Sequence, residues 1–99
     1  MKVNSKALQF EWDSGNSNKN KRSHAVEDWE CEEVFFDRSK VILKDKLHSH
    51  NEERFILLGK TKRERLLYMV FTIRYEKIRV ISARDITKRK EIELYEKAS

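Results

Sequence analysis

The strongest constraint on this chain is an alternation near its C-terminal end. From Leu66 to Arg74 the odd positions Leu67, Met69, Phe71 and Ile73 are apolar, while Tyr68, Thr72 and Arg74 carry polar groups. A period of two is the pattern of a strand with one buried and one wet face. Tyr75-Glu76-Lys77 is short enough to reverse the chain, so Ile78 to Arg84 is expected to return antiparallel. This second run sets two arginines and a serine among β-branched residues. Continued at period two, Ser82 and Arg84 point to one face and Arg79 to the other. Strands keep arginine off their centres unless a face is wet or binds an anion. A sheet face carrying Arg and Tyr, Tyr68 included, is therefore the expected working surface.

Ninety-nine residues are enough for a single domain, 1–99, with one modest core. Two glycines and no proline leave no Gly-rich phosphate loop. Cys31 stands alone, which excludes an intrachain disulfide and a cysteine-rich zinc site. No apolar stretch reaches membrane-spanning length and no signal-peptide core is present, so a cytoplasmic protein without a membrane partner is expected. The formal charge is +5, unevenly spread: residues 26–37 hold six acids and no base, residues 60–99 twelve bases and six acids. A basic C-terminal half suits a polyanionic partner.

Taken in order, residues 1–7 read as polar and loose. Leu8 to Trp12 alternates like a short strand, and Asp13 is placed to cap a helix. Ser14 to Ser23 has no apolar residue larger than glycine and reads as a solvated loop or a weak helix. Glu27 and Asp28 open a better helix, with Val26, Trp29 and Phe36 as an apolar stripe supplemented by Val34 and Phe35, all expected in the core. Val41 to Leu43 and Arg54 to Gly59 read as strands, and Thr87 is placed to cap a last helix through Ala98. The class is α+β: a small antiparallel β-sheet with N-terminal helices and a C-terminal helix.

His48 and His50, with Glu52 and Glu53, invite a metal reading, but no HExxH pattern or cysteine pair supports one, and a polar loop explains them as well. No metal or other cofactor is expected. Cys31 in an acidic helix is a poor thiolate, and Ser82 lacks a nucleophile elbow. RNA fits better. Metal-free cleavage needs a base for the ribose 2′-OH, cations at the phosphate and an acid for the leaving 5′-oxygen. Arg79, Arg84 and Arg54 are candidates for the cationic work, since a guanidinium fork matches phosphate oxygens. Glu91 and Tyr95 are four apart on one helix face, and His24 is a natural acid or base. Each also has a structural reading: Arg84 paired with Asp85 or Glu91, Tyr95 anchoring its helix, Arg79 solvated, His24 closing a helix.

Pieces spread over residues 10–96 carry a resemblance. They are Phe10-Glu11-Trp12-Asp13, Asn20 with His24 and Val26, Val34-Phe35-Phe36-Asp37, and Asp45 with His48-Ser49; then Glu53 through Gly59, Thr72, Arg79 through Arg84, and Glu91 with Tyr95. In order and spacing they resemble the BrnT family of bacterial toxins, whose fold is similar to that of RelE-type ribonucleases. The resemblance implies a type II toxin that cleaves RNA without metal and halts translation. It also implies a BrnA-like ribbon-helix-helix antitoxin as partner, and operator DNA bound through the complex. A non-catalytic RNA- or DNA-binding module, or a corepressor acting through its partner, is the alternative. Ser14 to Ser23 falls where the family has its first helix. Where the family reads Lys-His-Gly this chain has Ser23-His24-Ala25, which leaves Lys21 or Arg22 to contact RNA. One extra residue between Arg84 and Glu91 would turn the last helix by about 100° unless a loop absorbs it. Arg84 and Tyr95 are expected to converge.

Overall fold

The computed structural model describes residues 8–98, so the reading of residues 1–7 lies outside it. Three helices, α1 (Lys19–His24), α2 (Asp28–Val34) and α3 (Arg89–Ala98), flank four strands, β1 (Val41–Lys44), β2 (Arg54–Lys60), β3 (Leu66–Arg74) and β4 (Lys77–Asp85). The strands form one antiparallel meander in the order β1-β2-β3-β4. The α+β class expected from the alternation holds. The β3–β4 turn has only Tyr75 and Glu76 at its tip, both at positive φ, as the twist of a two-residue hairpin requires.

One face of the sheet is the core. Leu57 of β2, Leu67, Met69 and Phe71 of β3, and Ile78, Val80 and Ala83 of β4 are buried there beneath Val26, Cys31, Val34 and Phe35. Phe35 meets Phe71 edge-on at 5.0 Å between ring centres, and Phe10 meets Phe35 at 5.3 Å. Each such side chain contributes roughly 1.5–3 kcal/mol by leaving water. Gly59 lets α2 approach: a Cβ there would meet the Val34 carbonyl oxygen at 3.0 Å and the Val34 Cβ at 3.1 Å.

The core positions on β4 are 78, 80 and 83, which breaks the period of two. Phe71 pairs with Val80 but Val70 pairs with Ser82, so Ile81 is an extra residue forming a β-bulge. The bulge corrects the expected facing of the arginines. Thr72 lies opposite Arg79, Val70 opposite Ser82 and Tyr68 opposite Arg84. Because these three β3 residues share a face, Arg79, Ser82 and Arg84 all stand on the outer side.

The Asn-rich segment is a turn followed by the short α1, exposed along most of its length, but two of its asparagines are buried. Asn16 and Asn20 are 3% and 2% exposed. The Asn16 side-chain amide donates to the Glu11 and Val80 carbonyls, and the Asn20 side-chain oxygen accepts from the Ala83 N–H. These bonds cap the free edge of β4 around its bulge, where backbone groups would otherwise be orphaned. Residues 9–11 extend the same edge: the Glu11 N–H donates to the Ile78 carbonyl and the Ile78 N–H to Gln9. This is a single parallel bridge between Phe10 and Ile78, shorter than the strand expected over Leu8 to Trp12. Asp13 opens a turn, accepting the Gly15 N–H on its side chain, and α1 starts only after Asn18.

Trp29 and Phe36 also depart from expectation, at 48% and 52% exposed. Cys31, Val34 and Phe35 form the stripe that meets the core, and Trp29 and Phe36, seven residues apart, lie on a different one. Trp29 instead has the Arg63 guanidinium 6.0 Å from its ring. The Glu30 carboxylate returns to the Glu27 N–H and takes Arg65 at 3.0 Å; Arg65 also forks onto Asp85 and bonds the Ala25 carbonyl. That arginine ties α2 to the far end of β4. Asn20→Ala, which orphans the buried Ala83 N–H, is expected to lower unfolding free energy by about 1–3 kcal/mol in urea melts.

Candidate active site

The outer face is only partly covered. α3 lies against β1 and β2 on that side, beginning at Arg89 after the non-helical residues 86–88. The Lys88 carbonyl receives the Glu91 and Ile92 N–H groups. This connection absorbs the extra residue, because Arg84 still meets Glu91: Nη1 donates to Oε1 at 3.1 Å and Nη2 to Oε2 at 2.7 Å. The Arg84 guanidinium also sits 4.1 Å from the centre of the Tyr68 ring, its cross-strand partner. A planar cation held by a fork and stacked on an aromatic has few rotamers left. The Glu91 hydrogen bond raises the pKa of Arg84, so it stays charged at any working pH. Burial, then the Glu91 charge, pushes the Tyr68 phenol up.

Tyr95 lies one turn beyond Glu91, on the same helix face and 5% exposed. Its hydroxyl donates to Asp37 Oδ2 at 2.6 Å, while Lys60 Nζ stands 5.7 Å from its ring centre. Asp37 also accepts the Lys60 and Ser39 N–H groups. Burial alone would raise the Asp37 carboxyl, but these donors hold it below the usual carboxylate range. The same environment pushes the Tyr95 phenol up to about 12, by burial first and the Asp37 contact second. Tyr95 thus shares the outer face with Arg84, with its hydroxyl turned to Asp37.

Arg79 is on that face too, but two carboxylates already engage it: Glu11 Oε1 at 2.8 Å and Asp13 Oδ2 at 2.8 Å. The Asp13 hydrogen bond raises its pKa. His24, at the end of α1, lines a cleft of about 310 Å³ with Arg84, Asp85, Thr87 and Lys88. The structure therefore brings His24, Arg84, Glu91 and Tyr68 to one end of the outer face. Lys21 pairs with Glu27 at 3.3 Å and Arg22 is exposed on α1. Arg54 lies opposite Thr72 at the other end, lining a separate cleft.

Two features have no counterpart in the sequence reading. Lys88 joins the His24–Arg84 cleft and forms no ion pair among the described residues. The His48 Nδ1 lies 3.0 Å from Asp45 Oδ2, and Asp45 is 8% exposed. Asp45 and His48 are among the pieces that carry the resemblance, but as a possible ligand His48 is read with His50, Glu52 and Glu53 and not with Asp45. Among the described residues no three His, Cys, Asp or Glu side chains group as a metal site would need, and no helix is long and apolar enough to cross a membrane. Burial, then Asp28, Glu30 and Glu32, pushes the Cys31 thiol up to about 12, as an acidic helix should.

A family model described as "Ribonuclease toxin, BrnT, of type II toxin-antitoxin system" matches residues 12–90. The chain belongs to the BrnT ribonuclease toxin family. No curated protein matches it. As a BrnT-family toxin its substrate class is RNA and its partner is an antitoxin. The matched span includes every strand, and with them Tyr68, Arg79, Arg84 and Arg54.

The raised Tyr95 phenol has a measurable consequence. A group whose folded pKa exceeds its unfolded value of 10 stabilises the fold below pH 10, and loses that contribution as pH rises to about 12. Absorbance titration of tyrosinate is expected to show a step near pH 12 that Tyr95→Phe lacks. Stability of the parent should fall more steeply than that of Tyr95→Phe across the same window.

Proposed function

We propose that this BrnT-family toxin is a metal-independent endoribonuclease centred on Arg84, and that it inhibits translation by cutting RNA. The observation that carries the reading is the Arg84 guanidinium forked onto Glu91 and stacked on Tyr68, at the open end of a sheet face. The ribose 2′-OH attacks phosphorus as its proton leaves to a base. The P–O5′ bond then breaks, and the 5′-oxygen takes a proton, leaving a cyclic 2′,3′-phosphate. Arg84 supplies charge where the crowded phosphate gathers it, and Glu91 holds that cation in place before substrate arrives. Tyr68 offers a ring for an unpaired base.

Of the groups proposed to move protons, His24 is best placed, since it lines the Arg84 cleft. Glu91 acts through Arg84, and Tyr95 through its hydroxyl on Asp37, which seats α3. Arg79 engages phosphate by exchanging its carboxylate partners for it. Lys21 and Arg22 contribute positive charge near α1. A BrnA-like ribbon-helix-helix antitoxin neutralises the toxin, and the complex represses its own operator.

One observation favours the second reading, a non-catalytic nucleic-acid-binding module or corepressor. Both Arg79 and Arg84 are neutralised by carboxylates in the free chain. The two readings part in a simple assay. Cleavage of single-stranded RNA by the purified protein is expected to persist in EDTA and to yield cyclic 2′,3′-phosphate ends. Arg84→Ala, with its circular dichroism unchanged, should cut about a hundredfold slower or worse. Salt-dependent binding without any cleavage would establish the second reading.

A further inference from the structure

The cleft at the other end of the outer face has components that the proposed cleavage site does not use. It measures about 420 Å³ and is lined by His48, His50, Asn51, Glu52, Arg54 and Arg74. Asp45 is buried to more than nine-tenths, and its carboxylate faces the His48 ring from both oxygens, 3.2 and 3.0 Å from Nδ1. A buried carboxylate on one ring nitrogen fixes the tautomer and turns the other nitrogen outward. The His48 side chain is 65% exposed, so Nε2 is open to a ligand. Ser49 secures the loop, bonding the Asp45 carbonyl and accepting the Arg54 N–H at 3.0 Å.

The cations of this cleft divide into two kinds. Arg74 is forked onto Glu52 at 3.0 and 3.1 Å, whereas Arg54 forms no close ion pair among the described residues and feels the Glu52 charge only at longer range. A guanidinium outside any close ion pair, lining one cleft with an imidazole braced by a buried carboxylate, is suited to phosphate. Its distance from Arg84 follows from the strand register. Arg54 is opposite Thr72, and Arg84 is opposite Tyr68, four residues along β3 and on the far side of it. At about 3.3 Å per residue and about 4.8 Å between strands, the two lie roughly 16 Å apart on one face. That is too far for one phosphate and a natural reach for a few nucleotides of single strand.

We infer that His48, held by Asp45, and Arg54 form a second phosphate subsite that grips single-stranded RNA a few nucleotides from the bond cut at Arg84. This rests on the ribonuclease reading for its role in catalysis, but not for its existence as a binding site. The subsite makes substrate length matter. A dinucleotide seated at Arg84 cannot reach it, whereas an oligonucleotide of ten residues spans both ends.

The test compares short and long substrates in His48→Ala, Arg54→Ala and the parent. With a decanucleotide, each substitution is expected to raise KM about tenfold or more and leave kcat unchanged. With a dinucleotide, neither constant should move. Binding of a 2′-O-methyl decanucleotide, which cannot be cut, should weaken by the same factor, and Arg54→Ala should lower the salt slope of that affinity by about 1. Asp45→Asn, which keeps the loop hydrogen bonds of the main chain, should show the same split in weaker form. Losses that are equal on short and long RNA, or that fall on kcat, would overturn the subsite. If no variant and no parent cleaves RNA, the ribonuclease reading fails, and the 2′-O-methyl binding series alone decides the subsite.

Discussion

One extra residue in β4 sets the arrangement of the outer face. Ile78, Val80 and Ala83 must all reach the core, and a regular strand cannot place residues 80 and 83 on one side. The bulge at Ile81 resolves this, and it brings Arg79, Ser82 and Arg84 onto the opposite side together. A bulge leaves backbone groups unpaired, and here it lies at the outer strand of the sheet, where no fifth strand among the described residues serves them. Asn16 and Asn20 take that place, one donating to Val80 and the other accepting from Ala83. The cationic face and the Asn-rich segment thus have one cause. Losing either asparagine removes support from the strand that carries Arg84.

The same face is electrostatically braced before any substrate is bound. Arg84 is forked onto Glu91, Arg79 onto Asp13 and Glu11, and Arg74 onto Glu52. The Arg84–Glu91 and Arg79–Glu11 pairs are part-buried, where losing one partner strands the other charge, and what they give the RNA face is orientation. They hold guanidinium planes in fixed poses and keep a basic face from repelling itself. Arg54 departs from the pattern, and with the Asp45–His48 pair it gives the far end of the face a different character. A preorganised cation at one end and an open one at the other suit a strand of RNA laid along the sheet.

Much of the fold was legible because its signals are local. The alternation through Leu67, Met69, Phe71 and Ile73, the short reversal at Tyr75-Glu76-Lys77, and the pattern from Arg54 to Gly59 need only neighbours to be read. What escaped depends on distant partners. Nothing near Asn16 or Asn20 announces that they bond to residues more than sixty positions away. The bulge is invisible for the same reason: Ile81 and Ala83 fit a period of two as well as Ile78 and Val80 do, and only packing chooses. Trp29 looked like core because it is large and apolar, but the stripe through Cys31, Val34 and Phe35 had already filled the contact. At the candidate site, Arg84 and Glu91 were legible as residue types. Their pairing was one of two readings for Arg84, beside Asp85, and the choice needed the loop of residues 86–88 to restore the helix phase.

The central claim is that RNA is met by the outer face of the sheet. Amide and side-chain NMR shifts, followed during titration with a 2′-O-methyl decanucleotide, test this most directly. Shifts concentrated at Tyr68, Ser82, Arg84, Arg54 and His48, with α2 silent, are what the arrangement predicts. Shifts concentrated on α2, or spread evenly over all surfaces, would contradict it.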